Sequence, residues 1–194
     1  MPVEVDPIER MREVTEAAHA LICEGGLDAV TVRALAARLD CSTTAVTHYF
    51  KDKAEILLAT YRHSVARVRR RREESAGEGF VGQLEAILPL NPEQRDDWLI
   101  YIAFWSEALC SPVLKAEQKA RNREIVAAVN AHLAMADILP DGTAEADRMA
   151  IARGIVASLY GIAVQAVFDP ERWDAASQRD ALGRALAAHI PDHC

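Results

Sequence analysis

Aromatic residues make up only 6% of this 194-residue chain, although 51% of its residues are hydrophobic. With alanine so frequent, that scarcity of rings favours packed helices over a β-sandwich. The four cysteines, at 23, 41, 110 and 194, form no CxxC pair and no Cys/His metal spacing. Neither a disulfide framework nor a zinc site is indicated; three lie in apolar stretches, where a reduced thiol packs as a small hydrophobe. No apolar run approaches the roughly 20 residues that cross a bilayer, so no membrane partner is expected. The acidic start, MPVEVDPIERMREV, does not read as a signal peptide. Also missing are a glycine-rich phosphate loop, a GxSxG elbow, an HExxH pair and any metal-ligand cluster. The six histidines (19, 48, 63, 132, 189 and 193) lie apart from nucleophiles at motif spacing. A cytoplasmic, all-helical protein is expected, with no catalytic activity, cofactor or metal.

What is present is an uneven charge. The net charge of −7, taken whole, argues against a nucleic-acid partner. Its distribution reverses that impression. Residues 31 to 72 carry ten Lys or Arg against three acids, Asp40, Asp52 and Glu55, while residues 76 to 194 hold the whole negative excess. Two modules with different partners are implied.

In the first module, Ile8, Met11, Val14, Ala18, Leu21 and Ile22 recur at three- and four-residue intervals, which predicts an amphipathic helix stopped by Gly25-Gly26. Thr31 is placed to cap a second helix, VRALAARLD, with Val32, Leu35, Ala36 and Leu39 inward. After a turn at Asp40-Cys41, Ser42 caps a third, TTAVTHYF, whose Val46, Tyr49 and Phe50 face back on the second. Thr43, Thr44, Thr47 and His48 are left outside. Helix, tight turn and short polar-faced helix describe a helix-turn-helix. Threonine is a poor helix former, but its short side chain lets a helix backbone approach base edges, offering a hydroxyl to bases and a methyl to thymine. Lys51 and Lys53 then flank the start of a long helix and could grip phosphates.

Residues 31–57, TVRALAARLDCSTTAVTHYFKDKAEIL, resemble the DNA-binding signature of TetR-type transcriptional repressors. Thr31, Leu35, Ala36, Ser42, Tyr49, Phe50, Lys53 and Leu57 fall in its pattern. The resemblance implies phosphate contacts from Thr31, Thr47, Tyr49 and Lys53, and base contacts from Thr43, Thr44 and His48. Two positions depart from it: Asp40 stands where the turn usually holds glycine, and Thr47 replaces an aromatic. The Arg69–Arg72 run is read first as complementing a helix C-terminus, with a nonspecific electrostatic role second.

Gly77 and Gly79 mark the module boundary, giving a DNA-binding domain over 1–54, a connecting helix over about 53–75 and a regulatory and dimerisation domain over 76–194. Prolines at 89, 92, 112, 140 and 170 separate predicted helices over 80–88, 93–110, 113–137, 144–169 and 173–189. The stretch WLIYIAFWSEALCSPVLKAEQ resembles the regulatory domain of the BetI-like branch, whose named member responds to choline. That resemblance implies a small-molecule pocket inside the bundle.

Candidate pocket residues are Trp98, Tyr101, Phe104 and Trp105 on one helix, and Met149, Arg153, Tyr160 and Gln165 on another. The aromatic face could hold a quaternary ammonium, at about 0.5–2 kcal/mol per ring, with Glu107 as counter-charge; equally, it could be ordinary core. Arg153 in an apolar helix calls for an anionic partner, either an acidic ligand or an internal carboxylate such as Glu107. The two apolar C-terminal helices, with glycines at 154 and 161, suit a two-fold four-helix dimer interface. The expected function is an effector-released repressor that binds a palindromic operator as a homodimer. The alternative is a helix-turn-helix protein that binds DNA constitutively, without an inducer.

Overall fold

A computed structural model describes residues 6–135 and 138–190. Among these residues the structure is helical, without a strand: α1 (Pro7–Gly25), α2 (Val32–Arg38), α3 (Thr43–Tyr49), α4 (Lys53–Glu74), α5 (Gly79–Glu85), α6 (Pro92–Cys110), α7 (Pro112–Met135), α8 (Glu145–Phe168) and α9 (Ala175–His189), with 3-10 turns at Leu27–Ala29 and Ser75–Glu78. Local signals set most ends. Asp6 accepts a hydrogen bond from the Ile8 amide with Pro7 at the first helical position, and Gly26 closes α1 at φ 72°. Asp174 caps α9 by accepting from the Ser177 amide at 2.8 Å.

Packing divides the chain into two compact units. The first runs to Arg67 and takes in Leu99–Leu114; the second comprises Val68–Trp98 and the chain from Lys115 onward. The division therefore falls within α4, α6 and α7. Side-chain packing along a continuous helix leaves no mark in composition.

In the first unit, Val14, Ala18, Leu35 and Val46 are at most 1% exposed and join α1, α2 and α3. Burial of such aliphatic side chains contributes about 1.5–3 kcal/mol for each Val or Leu. Tyr61 stacks on Phe104 at 3.8 Å in the same unit. The expected α1 stripe is shortened, because Ile8 and Met11 are exposed; no neighbouring helix covers the first turn. Tyr49 is half-buried, unlike its fully buried companions Val46 and Phe50.

In the second unit, α8 and α9 pack together, with Leu159 and Leu182 at 0% and 1% exposure. By length and composition α8 could cross a membrane, so the expectation that no run approaches that length does not hold. Its buried residues include Ala152, Ile155, Leu159, Ile162 and Ala166, which serve the helical core. Cys110 is exposed and Cys23 and Cys41 are half-buried, so Cys110 does not pack as expected. His193, Cys194 and the end of the predicted 113–137 helix lie outside the described residues.

Candidate nucleic-acid interface and effector region

Two side-chain caps and one left-handed residue shape the helix-turn-helix. The Thr31 hydroxyl accepts a hydrogen bond from the Ala34 amide at 3.1 Å, and the Ser42 hydroxyl accepts from the Ala45 amide at 3.2 Å. Between them Asp40 takes φ 48°. The Cys41 amide reaches back to the Ala36 carbonyl at 3.0 Å, and the Asp40 amide to that of Ala37 at 3.5 Å. This is a Schellman closure with aspartate in the position that favours glycine. The turn is thereby built without glycine, at a conformational cost.

α3 presents Thr43, Thr44, Thr47 and His48 to solvent and buries Val46 against α2. The Thr47 hydroxyl donates to the Thr44 carbonyl at 3.3 Å, and the His48 and Tyr49 rings meet edge to face at 5.0 Å. Asp52 starts α4 by accepting from the Glu55 amide at 2.9 Å; Glu55 in turn accepts from the Lys51 amide at 2.9 Å. This local clamp fixes the chain around both lysines and escaped the sequence reading, although D-x-x-E before a helix is a visible signal. Lys53 lies 3.6 Å from Asp28 and Lys51 3.9 Å from Glu55. Such exposed pairs are worth about 0–1 kcal/mol, so either ammonium exchanges readily onto a phosphate. The eight candidate DNA-contact residues, Thr31, Ser42, Thr43, Thr44, Thr47, His48, Tyr49 and Lys53, lie on α3, its two flanks or the α2 cap.

The arginine run is bound into the second unit. Arg69 pairs with Glu124 at 2.6 Å and Arg71 with the fully buried Asp97 at 2.7 Å. Glu124 also binds Arg121 at 2.6 Å, and Arg121 binds Glu117 at 3.1 Å. The run is structural, as first expected, but through carboxylates of α6 and α7 as well as any dipole effect.

The predicted effector residues are distributed. In the second unit Trp98 is wholly buried, donates its indole N–H to the Ile87 carbonyl at 2.7 Å, and meets Tyr160 edge-on at 5.5 Å. Burial pushes the Tyr160 phenol up to about 12, with the nearby Arg72 charge opposing. In the first unit Tyr101 pairs with Trp105 at 6.3 Å and with Tyr61 at 5.4 Å, and Phe104 uses a face on Tyr61. Glu107 is exposed. Arg153 is exposed too, so the guanidinium expected inside an apolar helix is not buried. It shares its face of α8 with Ala146, Ala150, Ala157 and Gly161, all exposed. The half-buried arginines of this unit are Arg71, Arg72, Arg95, Arg121 and Arg148.

A capped helix-turn-helix with a polar, solvent-facing second helix defines a DNA-binding regulator. The second helical unit fits the regulatory half of such proteins. Residues 14–60 match the profile of bacterial regulatory proteins of the tetR family, and residues 76–191 match the C-terminal domain of BetI-type transcriptional repressors. The chain belongs to the TetR family of transcriptional regulators, with a BetI-type C-terminal domain; this is a family of regulators, not of enzymes.

The HTH-type transcriptional regulator BetI of Burkholderia mallei is 31% identical over 126 residues, which cover 60% of this chain and only 63% of that protein. BetI 2 of Chromohalobacter salexigens is 29% identical over 191 residues, covering 91% of this chain and 86% of its own. A transcriptional regulator from a Rhodococcus species has the same fold, with TM-score 0.83 at 22% identity over 93% of this chain and 96% of that one. A regulator from Saccharomonospora viridis, solved in complex with choline, superposes at TM-score 0.80 and 21% identity, covering 94% of this chain and 97% of that one.

Proposed function

We propose that this chain is a ligand-responsive transcriptional repressor that binds a palindromic operator as a homodimer in the cytoplasm and leaves it when an effector binds. The observation that carries this reading is the exposed row Thr43, Thr44, Thr47 and His48 on a helix capped by Ser42. Thr43, Thr44 and His48 read base edges; Thr31, Thr47, Tyr49 and Lys53 hold phosphates, beside the α3 start at Ser42. Dimerisation supplies the second half-site, about 34–36 Å away or a multiple of that distance.

The exposed small residues of α8, with Gly183 and Ala187 exposed on α9, support a four-helix dimer face. The choline complex of the Saccharomonospora viridis regulator supports an effector site in this type of domain. For this chain Trp98 and Tyr160 are assigned to that site, with Tyr101, Phe104, Trp105 and Arg153 its remaining sequence candidates. An effector acts only by favouring one arrangement of the two α3 helices over another.

The test is binding of the purified protein to the DNA upstream of its own gene, titrated with salt against a scrambled competitor. Selective dimeric binding that weakens steeply with salt supports the repressor reading. Weak binding, equal for both sequences, overturns it. Release of the operator by a saturable ligand separates an induced repressor from a constitutive binder.

A further inference from the structure

The second unit holds a cavity that none of the candidate effector residues lines. Its volume is about 430 Å³, within the roughly 300–1,000 Å³ usual for small-molecule sites. Its walls come from the segment that leads from Pro89 into the first turns of α6, from Ala166 near the end of α8, and from the turn after α8 with the start of α9. Trp173, half-buried, and three prolines, Pro89, Pro92 and Pro170, supply apolar surface.

Gln178 is the polar side chain that points to a ligand. It lines this cavity and is only 3% exposed. Its amide nitrogen donates to the Trp173 carbonyl at 2.8 Å and to the Pro89 carbonyl at 3.2 Å. Both partners only accept, so the amide cannot be turned over and the oxygen takes the remaining position. That oxygen, Oε1, is buried and has no hydrogen-bond partner among the described residues. A buried acceptor left unpaired carries a free-energy penalty, which a donor arriving in the cavity removes. Arg95 lines the same cavity, is anchored by donating to the Val167 carbonyl at 3.0 Å, and has a buried Nε without an acceptor among the described residues.

The charges narrow the ligand further. Arg95 disfavours a cation, and Asp96 and Asp174, on the same walls, disfavour an anion. Gln178 calls for a donor and Arg95 for an acceptor. A carboxamide carries both on one planar group, whereas an ester or carboxylate only accepts and an ammonium only donates. We propose that this cavity is a small-molecule site separate from the effector residues, and that it takes a neutral, planar carboxamide whose N–H donates to Gln178 Oε1 and whose apolar body lies against Trp173.

The experiment follows the indole N–H signals of the full-length protein by NMR, with benzamide as probe. Methyl benzoate, benzoate and benzylammonium share its ring and differ in the polar group. The three tryptophans, Trp98, Trp105 and Trp173, give three signals, and Trp173→Phe assigns the one that disappears. Benzamide is expected to shift the Trp173 signal saturably, with a Kd of about 0.1–3 mM for so small a molecule. The other three compounds should bind at least about tenfold more weakly, because each leaves a buried polar group unpaired. Gln178→Met, with native helical content by circular dichroism, should lose benzamide affinity to the same extent. Should Gln178→Met fail to fold, the four-compound comparison in the native chain decides alone. No saturable benzamide shift well above that concentration range would overturn the proposal and show that solvent serves the Gln178 oxygen. So would equal binding of benzamide and methyl benzoate, tighter binding of either charged compound, undiminished benzamide binding by folded Gln178→Met, or saturation that leaves the Trp173 signal unmoved. The titration contains no DNA, so its result stands apart from the repressor reading.

Discussion

Arg71 and Asp97 form an ion pair at 2.7 Å in which the carboxylate is wholly buried and the guanidinium side chain is 20% exposed. The pair ties the C-terminal part of α4 to the N-terminal part of α6, and both parts belong to the second unit. A carboxylate so buried is tolerated because a guanidinium neutralises it. Arg71→Met should cost about 3–5 kcal/mol in urea denaturation, since it strands a buried charge. Adding Asp97→Leu should recover much of that loss. Equal losses for the single and double variants would show that the two residues are not coupled.

Asp40 supplies the second expectation. At φ 48° it occupies glycine's conformation in the turn between α2 and α3. Asp40→Gly should stabilise the protein by about 0.5–1 kcal/mol, and Asp40→Val should cost about 1–2 kcal/mol. Thermal melts of the three proteins decide it. A destabilised Asp40→Gly would mean that the aspartate side chain contributes more than its backbone strain costs.

The reading and gripping roles separate by mutation. Thr44→Ala should reduce the preference for operator over scrambled DNA, by about 1–3 kcal/mol if Thr44 touches a base edge. Lys53→Ala should weaken both DNAs alike and lower the salt slope by about one unit. The reverse pattern in a salt titration would exchange the two roles.

Gly161 tests the dimer face. A Cβ added there meets nothing within 4 Å in the protomer, so a larger residue is sterically tolerated by the isolated chain. Gly161→Glu should leave helical content unchanged by circular dichroism while producing monomers in size-exclusion chromatography and abolishing operator binding. A dimeric Gly161→Glu would move the interface elsewhere.

Tyr160 gives a pH dependence. Burial raises its phenol from 10.0 to about 12 in the folded protein. A raised folded value means that Tyr160 contributes stability fully present below pH 10 and lost as pH climbs towards 12. The difference in urea stability between the native chain and Tyr160→Phe should therefore shrink or reverse across that window. A constant difference would show that the phenol titrates as in the unfolded chain.

Several features were legible in the sequence because their causes are local. Thr31, Ser42 and Gly26 end helices through neighbours three or four residues away, and capping residues announce themselves at that range. The exposed face of α3 followed from the 3.6-residue period and one hydrophobic side. The resemblance to the family pattern, which holds glycine at this turn, marked Asp40 as the position that the structure shows in the left-handed conformation.

The second unit was read less well, for a physical reason. α8 is apolar nearly all round, so periodicity assigns it no inner face. Which stripe is buried depends on where α9 lies, and the structure leaves Arg153 outside with alanines and a glycine. The arginine run was visible as charge, but its partners stand 26 and 55 positions further along the chain. The sequence by itself determined the helices, their caps and the exposed row Thr43, Thr44, Thr47 and His48, all products of short-range geometry. Only the tertiary structure decided which carboxylates neutralise Arg69 and Arg71, because pairing is set by distances between helices that no sequence spacing encodes.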